Sequence, residues 1–236
     1  MSINDAEFFI GMGVKILEGF GLTETTPVTN VNPIGNIKPG TVGQALPETH
    51  VKISDLGEIL IKGPQVMMGY YKNQKATDEV MTDEGYFRTG DIGVIDEDGF
   101  LTITGRIKDI IVTAGGKNIS PQNIEGSIKG SPYIEQAAVI GDKKKFLSAL
   151  IIPSFESLQS WAKNKGIEFQ NNKELVDNED VKKLIEQEII EKTTHFSRVE
   201  QIRKFTILDS EWTQETGELT PSLKVKRRVL EEKYKD

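Results

Sequence analysis

The sequence predicts an α+β chain in two parts: an antiparallel sheet or small barrel, then an α+β domain. Three observations predict it. Short β-rich runs at close spacing between residues 51 and 103 are divided by tight turns. A Gly-rich stretch, residues 105–125, closes that series. Beyond it, apolar strands alternate with segments whose apolar residues recur at helical spacing.

In chain order, residues 4–12 read as a short helix and Val14-Lys15-Ile16-Leu17 as a strand, ending at Gly19-Phe20-Gly21-Leu22-Thr23-Glu24-Thr25. Residues 30–43 are loop-like, punctuated by Pro33, Gly35, Pro39 and Gly40. Strands are expected at 51–53, 58–62, 93–95 and 100–103, with turns at Leu56-Gly57 and Asp96-Glu97-Asp98-Gly99. The last of these lacks the glutamate a calcium loop needs at its twelfth position, which is Ile107, so it reads as a hairpin turn. Residues 74–81 read as a short helix and 83–91 as a structured loop.

In the Gly-rich stretch, Ile107, Ile110, Ile111 and Val112 suit a partly buried strand. Ala114-Gly115-Gly116-Lys117-Asn118 is a turn whose glycines allow positive φ or close backbone approach. Ser120-Pro121 offers a hydroxyl cap followed by proline where no amide donor is needed. A helix over 121–129 stops at Gly130, and strands follow at 134–140 and 146–152. Leu158, Trp161 and Ala162 form one helical face, and Val181, Leu184, Ile185 and Ile189 another, with Glu179 and Lys183 spaced for an ion pair. A third strand over 205–208 precedes a polar, basic tail and a short final helix. The change of character puts a domain boundary near residues 106–109.

Composition excludes several function classes. The net charge of −7 argues against broad nucleic-acid binding, which needs a basic face for phosphates. With no cysteine there is no disulfide framework, thiol catalysis or cysteine zinc site. Only His50 and His195 are present, and His195 has no partner in sequence. The apolar run Ala149-Leu150-Ile151-Ile152 is far too short to span a bilayer, and the start lacks signal-peptide character, so a cytoplasmic protein is expected.

Three local patterns carry chemistry. Gly21-Leu22-Thr23-Glu24 sets a hydroxyl beside a carboxylate, suited to a magnesium–phosphate pair. Arg88-Thr89-Gly90-Asp91 places a carboxylate after a glycine turn, where it could accept hydrogen bonds from ribose hydroxyls. Residues 219–228, LTPSLKVKRR, gather cations on a tail. Each alone reads as readily structural as functional, whereas the Gly-rich hairpin with Arg106 and Lys108 at its entrance reads, on its own pattern, first as a surface hairpin with solvated charges and second as a site for an anionic or polyhydroxylated ligand.

Together with GEILIKG at 57–63, the motifs at 19–25, 87–91, 105–125 and 219–227 stand in an order that resembles the AMP-forming acyl-CoA synthetases, relatives of firefly luciferase and peptide-synthetase adenylation domains. AGGKNISPQNIE and LTPSLKVKR look most like the long-chain fatty acid branch. The resemblance implies a remnant of the large AMP-binding domain over 1–107, with a small β-barrel-like subdomain, and a mobile C-terminal domain over 108–236. It implies that Phe20 packs on adenine beside Gly21, that Thr23 lies near the phosphate and acyl carboxylate, and that Glu24 is the magnesium ligand. Asp91 matches the ribose-binding carboxylate, assisted by Arg106. Lys108 matches the hinge, Gly115 and Gly116 the hairpin lining the pantetheine tunnel, and Lys224 the lysine bridging acyl carboxylate and ATP.

The implied ligands are a fatty acid, ATP or AMP, Mg2+ and CoA; a fatty-acyl substrate suggests contact with membranes, yet the sequence offers no strong amphipathic anchor, which leaves peripheral attachment open. Two positions depart from the usual pattern: Leu223 stands where a glycine usually precedes the lysine, and Val112 where some relatives carry a second lysine. The family's phosphate loop, TSGTTGxPKG, occurs nowhere in these 236 residues. The expectation is therefore the C-terminal portion of a long-chain fatty acid–CoA ligase, inactive alone. The alternatives are a non-catalytic AMP- or CoA-binding module, the complementing half of a split synthetase, or an enzyme adenylating amino or aryl acids.

Overall fold

A computed structural model describes residues 3–221 and 225–234. Its backbone divides into two units, Met1–Lys108 and Asp109–Asp236.

The first unit opens with helix α1 (Ile3–Gly11) and a three-stranded antiparallel sheet of very short strands, β1 (Gly19–Phe20), β2 (Asn30–Val31) and β3 (Gln44–Ala45). A second antiparallel sheet runs in the order β4 (His50–Ile53), β5 (Glu58–Lys62), β6 (Phe87–Ile95), β7 (Leu101–Arg106), with α2 (Gln74–Val80) inserted before β6. β5 is central, and alternation along it sends Ile59 and Ile61 into a core with Phe20 and Leu101. The β6–β7 turn is closed by Asp96, whose Oδ1 accepts the Asp98 and Phe100 amides at 3.0 and 2.8 Å.

Two expectations fail here. Residues 14–17 form no strand: the Val14 amide bonds locally to the Phe9 carbonyl, and Val14 and Leu17 are exposed. Pairing starts only where the Glu18 carbonyl accepts the Asn32 amide at 2.9 Å. The stretch expected as a loop over 83–91 enters β6 at Phe87, which pairs with Ile61 while Arg88 pairs with Leu60. Gly90 and the polar residues around it read locally as loop, and cross-strand pairing overrides them.

In the second unit the hairpin β8 (Ile111–Val112) and β9 (Asn118–Ile119) leads into α3 (Pro121–Ile128). A sheet ordered β10 (Ile134–Ile140), β11 (Leu147–Pro153), β12 (Ile202–Ile207) follows, antiparallel at its first pairing and parallel at its second. Helices α4 (Phe155–Asn164), α5 (Asn172–Asp177) and α6 (Glu179–Thr193) make the crossover, and α7 (Arg227–Lys233) ends the described chain. Central β11 is apolar almost throughout because both its faces are covered. Ala149 and Ile151 pack with Ile124, Ile128 and Ile185 on one side. Leu150 and Ile152 pack with Trp212, Leu219 and Leu230 on the other.

Three readings are corrected in this unit. The strand expected from Ile107 shrinks to Ile111–Val112, since Ile107–Asp109 is a short 3-10 turn. Ser120 is the N-cap residue of α3, but its hydroxyl bonds to Gln122 Oε1 at 3.3 Å instead of the helix amides. Glu179 pairs with Lys182 at 3.0 Å, and Lys183 with Asp180 at 3.5 Å, each one residue closer than expected. Among the described residues no helix is long and apolar enough to cross a membrane.

Candidate nucleotide-binding site

Gly21 occupies a position that no other residue fits. A Cβ there would lie 1.5 Å from the Pro27 carbonyl oxygen, so the backbone runs against the next turn of its own loop. The loop is tied from inside. The Thr29 amide and hydroxyl both donate to the Phe20 carbonyl, at 2.8 and 3.1 Å, and the Leu22 amide donates to the Thr25 hydroxyl at 2.9 Å. Phe20 is only 8% exposed, and Thr23 lies exposed in the 3-10 turn Thr23–Thr25.

Glu24 is half-buried. Its carbonyl accepts the Met67 amide at 2.8 Å and its Oε1 the Tyr70 hydroxyl at 3.0 Å. Burial and the neighbouring Glu24 carboxylate raise the Tyr70 phenol above its ordinary value. No cluster of three or more His, Asp or Glu side chains that could hold a metal occurs among the described residues. A single carboxylate with one oxygen already committed fits Mg2+ shared with phosphate oxygens, the manner in which that ion is usually held.

Asp91 and Arg106 face each other across β6 and β7, with Asp91 Oδ1 2.8 Å from Arg106 Nε. The Asp91 side chain is 5% exposed and that of Arg106 58%, so a buried carboxylate meets a guanidinium open to solvent. The Thr89 hydroxyl accepts the Asp91 amide at 3.0 Å and donates to the Ile59 carbonyl at 2.8 Å. Ile59 packs in the Phe20 core, which links the two halves of the site within this unit.

One participant has no role in the sequence reading. Glu58, 5% exposed at the head of β5, accepts the Gly90 amide through Oε1 at 3.1 Å and pairs through Oε2 with Arg88 at 3.2 Å. Its signal in the sequence is a carboxylate directly ahead of the apolar run Ile59-Leu60-Ile61.

The remaining candidates are described by position. Lys108 lies exposed in the 3-10 turn Ile107–Asp109, the last residue of the first unit. In the second unit Gly116 takes φ +75° and Gly115 stays clear of other atoms, its ideal Cβ meeting nothing nearer than 3.9 Å. Their hairpin is held to the turn after β10, where the Ala114 amide donates to the Lys144 carbonyl at 2.9 Å and the Lys143 amide to that of Val112 at 2.8 Å.

Lys224 lies outside the described residues, and its flanks are anchored. Leu219 and Val225 form an antiparallel bridge, and the Lys226 amide donates to the Glu218 carbonyl at 2.7 Å. Arg227 pairs with Glu125 at 2.7 Å and donates to the Val139 carbonyl, while Glu125 accepts the Val139 amide at 2.7 Å. On the other side Glu218 pairs with Lys233. Burial pushes the Glu218 carboxyl up, but hydrogen bonds from Lys233 and Thr216 outweigh it and hold it below its ordinary value.

Residues 2–71 match the family described as AMP-binding enzyme, and residues 108–236 that described as AMP-binding enzyme C-terminal domain. The long-chain-fatty-acid–CoA ligase FadD15 of Mycobacterium bovis is 44% identical over 96% of this chain and 38% of its own length. The long-chain-fatty-acid–CoA ligase ACSBG1 of Rattus norvegicus is 33% identical over 100% of this chain and 36% of its own. This chain therefore spans well under half the length of the curated relatives it matches. Among solved structures, ATP-bound MatB from Rhodopseudomonas palustris is 27% identical with a TM-score of 0.67, over 95% of this chain and 41% of that one. The adenylation domain of a carboxylate reductase from Mycobacterium chelonae, 22% identical, has a TM-score of 0.76 over 100% of this chain and 36% of that one, a likeness of fold alone.

Proposed function

The chain belongs to the AMP-binding enzyme family, in the long-chain fatty acid branch of the AMP-forming acyl-CoA synthetases, and from that premise we propose that it is the C-terminal portion of an ATP-dependent long-chain fatty acid–CoA ligase. The observation that carries this reading is the Asp91–Arg106 pair: a buried, oriented acceptor beside an exposed cation suits the vicinal hydroxyls of a ribose next to a phosphate.

In this reading the fatty-acid carboxylate attacks the α-phosphorus of ATP, the bond to pyrophosphate breaks, and an acyl-adenylate forms. The thiolate of CoA then attacks the acyl carbon and AMP leaves with the electron pair of the broken bond. Asp91 accepts from the ribose hydroxyls, and Arg106 offsets its charge. Thr23 hydrogen-bonds at the phosphate, and Lys224 supplies an ammonium between acyl carboxylate and ATP. Glu24 would hold Mg2+, which offsets phosphate charge when bound. Gly115 and Gly116 give the hairpin two positions without side chains for the pantetheine arm, and Lys108 is the pivot that lets the second unit serve each half-reaction.

The 236-residue chain by itself does not adenylate, since it carries no phosphate loop of the family's form. A second reading, the complementing half of a split synthetase, is favoured by exposed apolar side chains on and after α1, among them Phe8, Met12 and Val14. Isothermal titration of this chain with AMP, CoA and an acyl-adenylate analogue tests the site. Asp91→Ala is expected to weaken AMP about tenfold, the loss of a charged hydrogen bond. Equal affinity in both proteins overturns the ribose assignment. Pyrophosphate exchange by the purified chain overturns its inactivity.

A further inference from the structure

We propose that Glu58 is a positioning residue for nucleotide binding: its carboxylate sets the backbone bulge in β6 from which Asp91 is presented. The inference rests on reading Asp91 as the ribose acceptor. It starts from an irregularity in the sheet. The β5–β6 register shifts between Glu58 and Leu60, and the β6–β7 register shifts between Ile92 and Gly93. On β6 the first break spans the residues between Arg88 and Ile92, so Asp91 lies within it and just ahead of the second. A one-residue slip sends a strand side chain to the opposite face, so an irregular ladder leaves the direction of Asp91 to other contacts.

Those contacts converge on Glu58. Gly90 takes φ +69° with nothing within 4 Å of its ideal Cβ, so conformation and not crowding calls for glycine there. Glu58 Oε1 accepts the amide of this residue of the bulge, and Oε2 holds the guanidinium of Arg88, two positions earlier. The carboxylate thus grips both ends of the step leading into Asp91. Glu58 is itself fixed, since its amide donates to the Ser54 hydroxyl at 3.0 Å and its carbonyl accepts the Ser54 amide at 2.9 Å. Support passes from the β4–β5 turn through Glu58 to Gly90 and Arg88, and from them to Asp91. An apolar residue would fill this place in a core strand without the desolvation cost of a carboxylate, so the strand pattern alone does not account for Glu58.

The test compares AMP with 2′,3′-dideoxy-AMP by isothermal titration of this chain. The ratio of their dissociation constants reads the ribose hydroxyls alone. For the unsubstituted chain the ratio is expected at about ten or more, the value of one charged hydrogen bond. Glu58→Ala should bring it towards one while leaving the dideoxy nucleotide's affinity unchanged. Glu58→Gln, which still accepts from Gly90, should recover most of it. Arg88→Met, which loses only the ion pair, should lower it partway and carries the test where Glu58→Ala does not fold. A ratio preserved in both Glu58→Ala and Arg88→Met overturns the inference and leaves the ribose reading standing, as does an equal loss for both nucleotides. A ratio near one in the unsubstituted chain, no AMP binding, or no response to Asp91→Ala overturns the ribose reading and the inference together.

Discussion

The sheet of the second unit is covered on both faces by its own elements, whereas the first unit packs one core around Phe20, Ile59, Ile61 and Leu101 and leaves apolar side chains of α1 and its loops in solvent. Among the described residues, every exposed large apolar side chain except Val112, Phe146, Ile190 and Val199 belongs to the first unit. The difference extends to how candidate residues are held. In the first unit Glu24, Gly90 and Asp91 are each tied by a single side chain, of Tyr70, Glu58 and Arg106 respectively. In the second, the segment flanking Lys224 hangs from a closed frame of α3, β10 and α7. The polar ties of the second unit join a helix, a strand and a further helix around a half-buried ion pair, whereas those of the first are single links.

The largest expected effect tests that frame. Arg227→Met leaves Glu125, whose side chain is 13% exposed, without its cation, and should cost the second unit about 3–5 kcal/mol. Urea unfolding followed by tryptophan fluorescence isolates this unit, because Trp161 and Trp212 are the only two tryptophans and both lie in it. A loss under about 1 kcal/mol, the range of a surface pair, would show the clamp to be dispensable. Lys38→Met, which breaks the exposed pair with Asp96 in the first unit, is expected to leave melting unchanged.

Next come the glycines. Gly21→Ala, with no space for a methyl group, should destabilise the first unit by about 3 kcal/mol and abolish AMP binding. Gly116→Ala pays only for a left-handed backbone, about 1 kcal/mol. Gly115→Ala, in open space, should stay within about 0.5 kcal/mol. Hydrogen exchange and calorimetry on the three proteins would contradict this account if the order came out reversed.

The unequal covering of the two units is read directly by limited proteolysis. Early cuts are expected in the first unit, leaving a resistant product close to 109–236. Equal resistance of both regions in a demonstrated monomer would count against the comparison.

The smallest effect is the pH dependence of the Glu218–Lys233 pair. The folded Glu218 carboxyl lies below its ordinary value of 4.5, so the unfolded chain binds more protons as pH drops towards and below that value. The stabilisation is therefore present above about pH 4.5 and is lost as pH falls through the folded value. Lys233→Met should flatten this acid limb in urea midpoints taken between pH 6 and pH 3, and an unchanged limb would remove Glu218 as its source.

Local chemistry made much of this fold legible. The β5 strand, α2, β10 and the central part of α6 follow from apolar spacing and turn residues alone. The two-residue strands β2, inside the Pro- and Gly-rich loop over 30–43, and β3, just after it, were hidden because such strands exist only through their ladder partners. Helix α5 was missed because six residues give too short a window for periodicity. Asp91 and Arg106 stood out as candidates from their motifs, but what joins them is the β6–β7 register. Glu58 and its link to Gly90 spans 32 positions, and nothing local announces it.

By itself, the amino-acid sequence determined the class of fold, the order of the motifs and the residue types that suit a nucleotide and a carboxylate, since these depend on neighbours along the chain. Tertiary structure alone decided which charges meet: Glu58 with Arg88, Asp91 with Arg106, and Glu125 with Arg227 across 102 positions. The physical reason is range. Propensity and periodicity act over a few residues, whereas a buried charge must find its partner wherever the fold brings one within hydrogen-bonding distance.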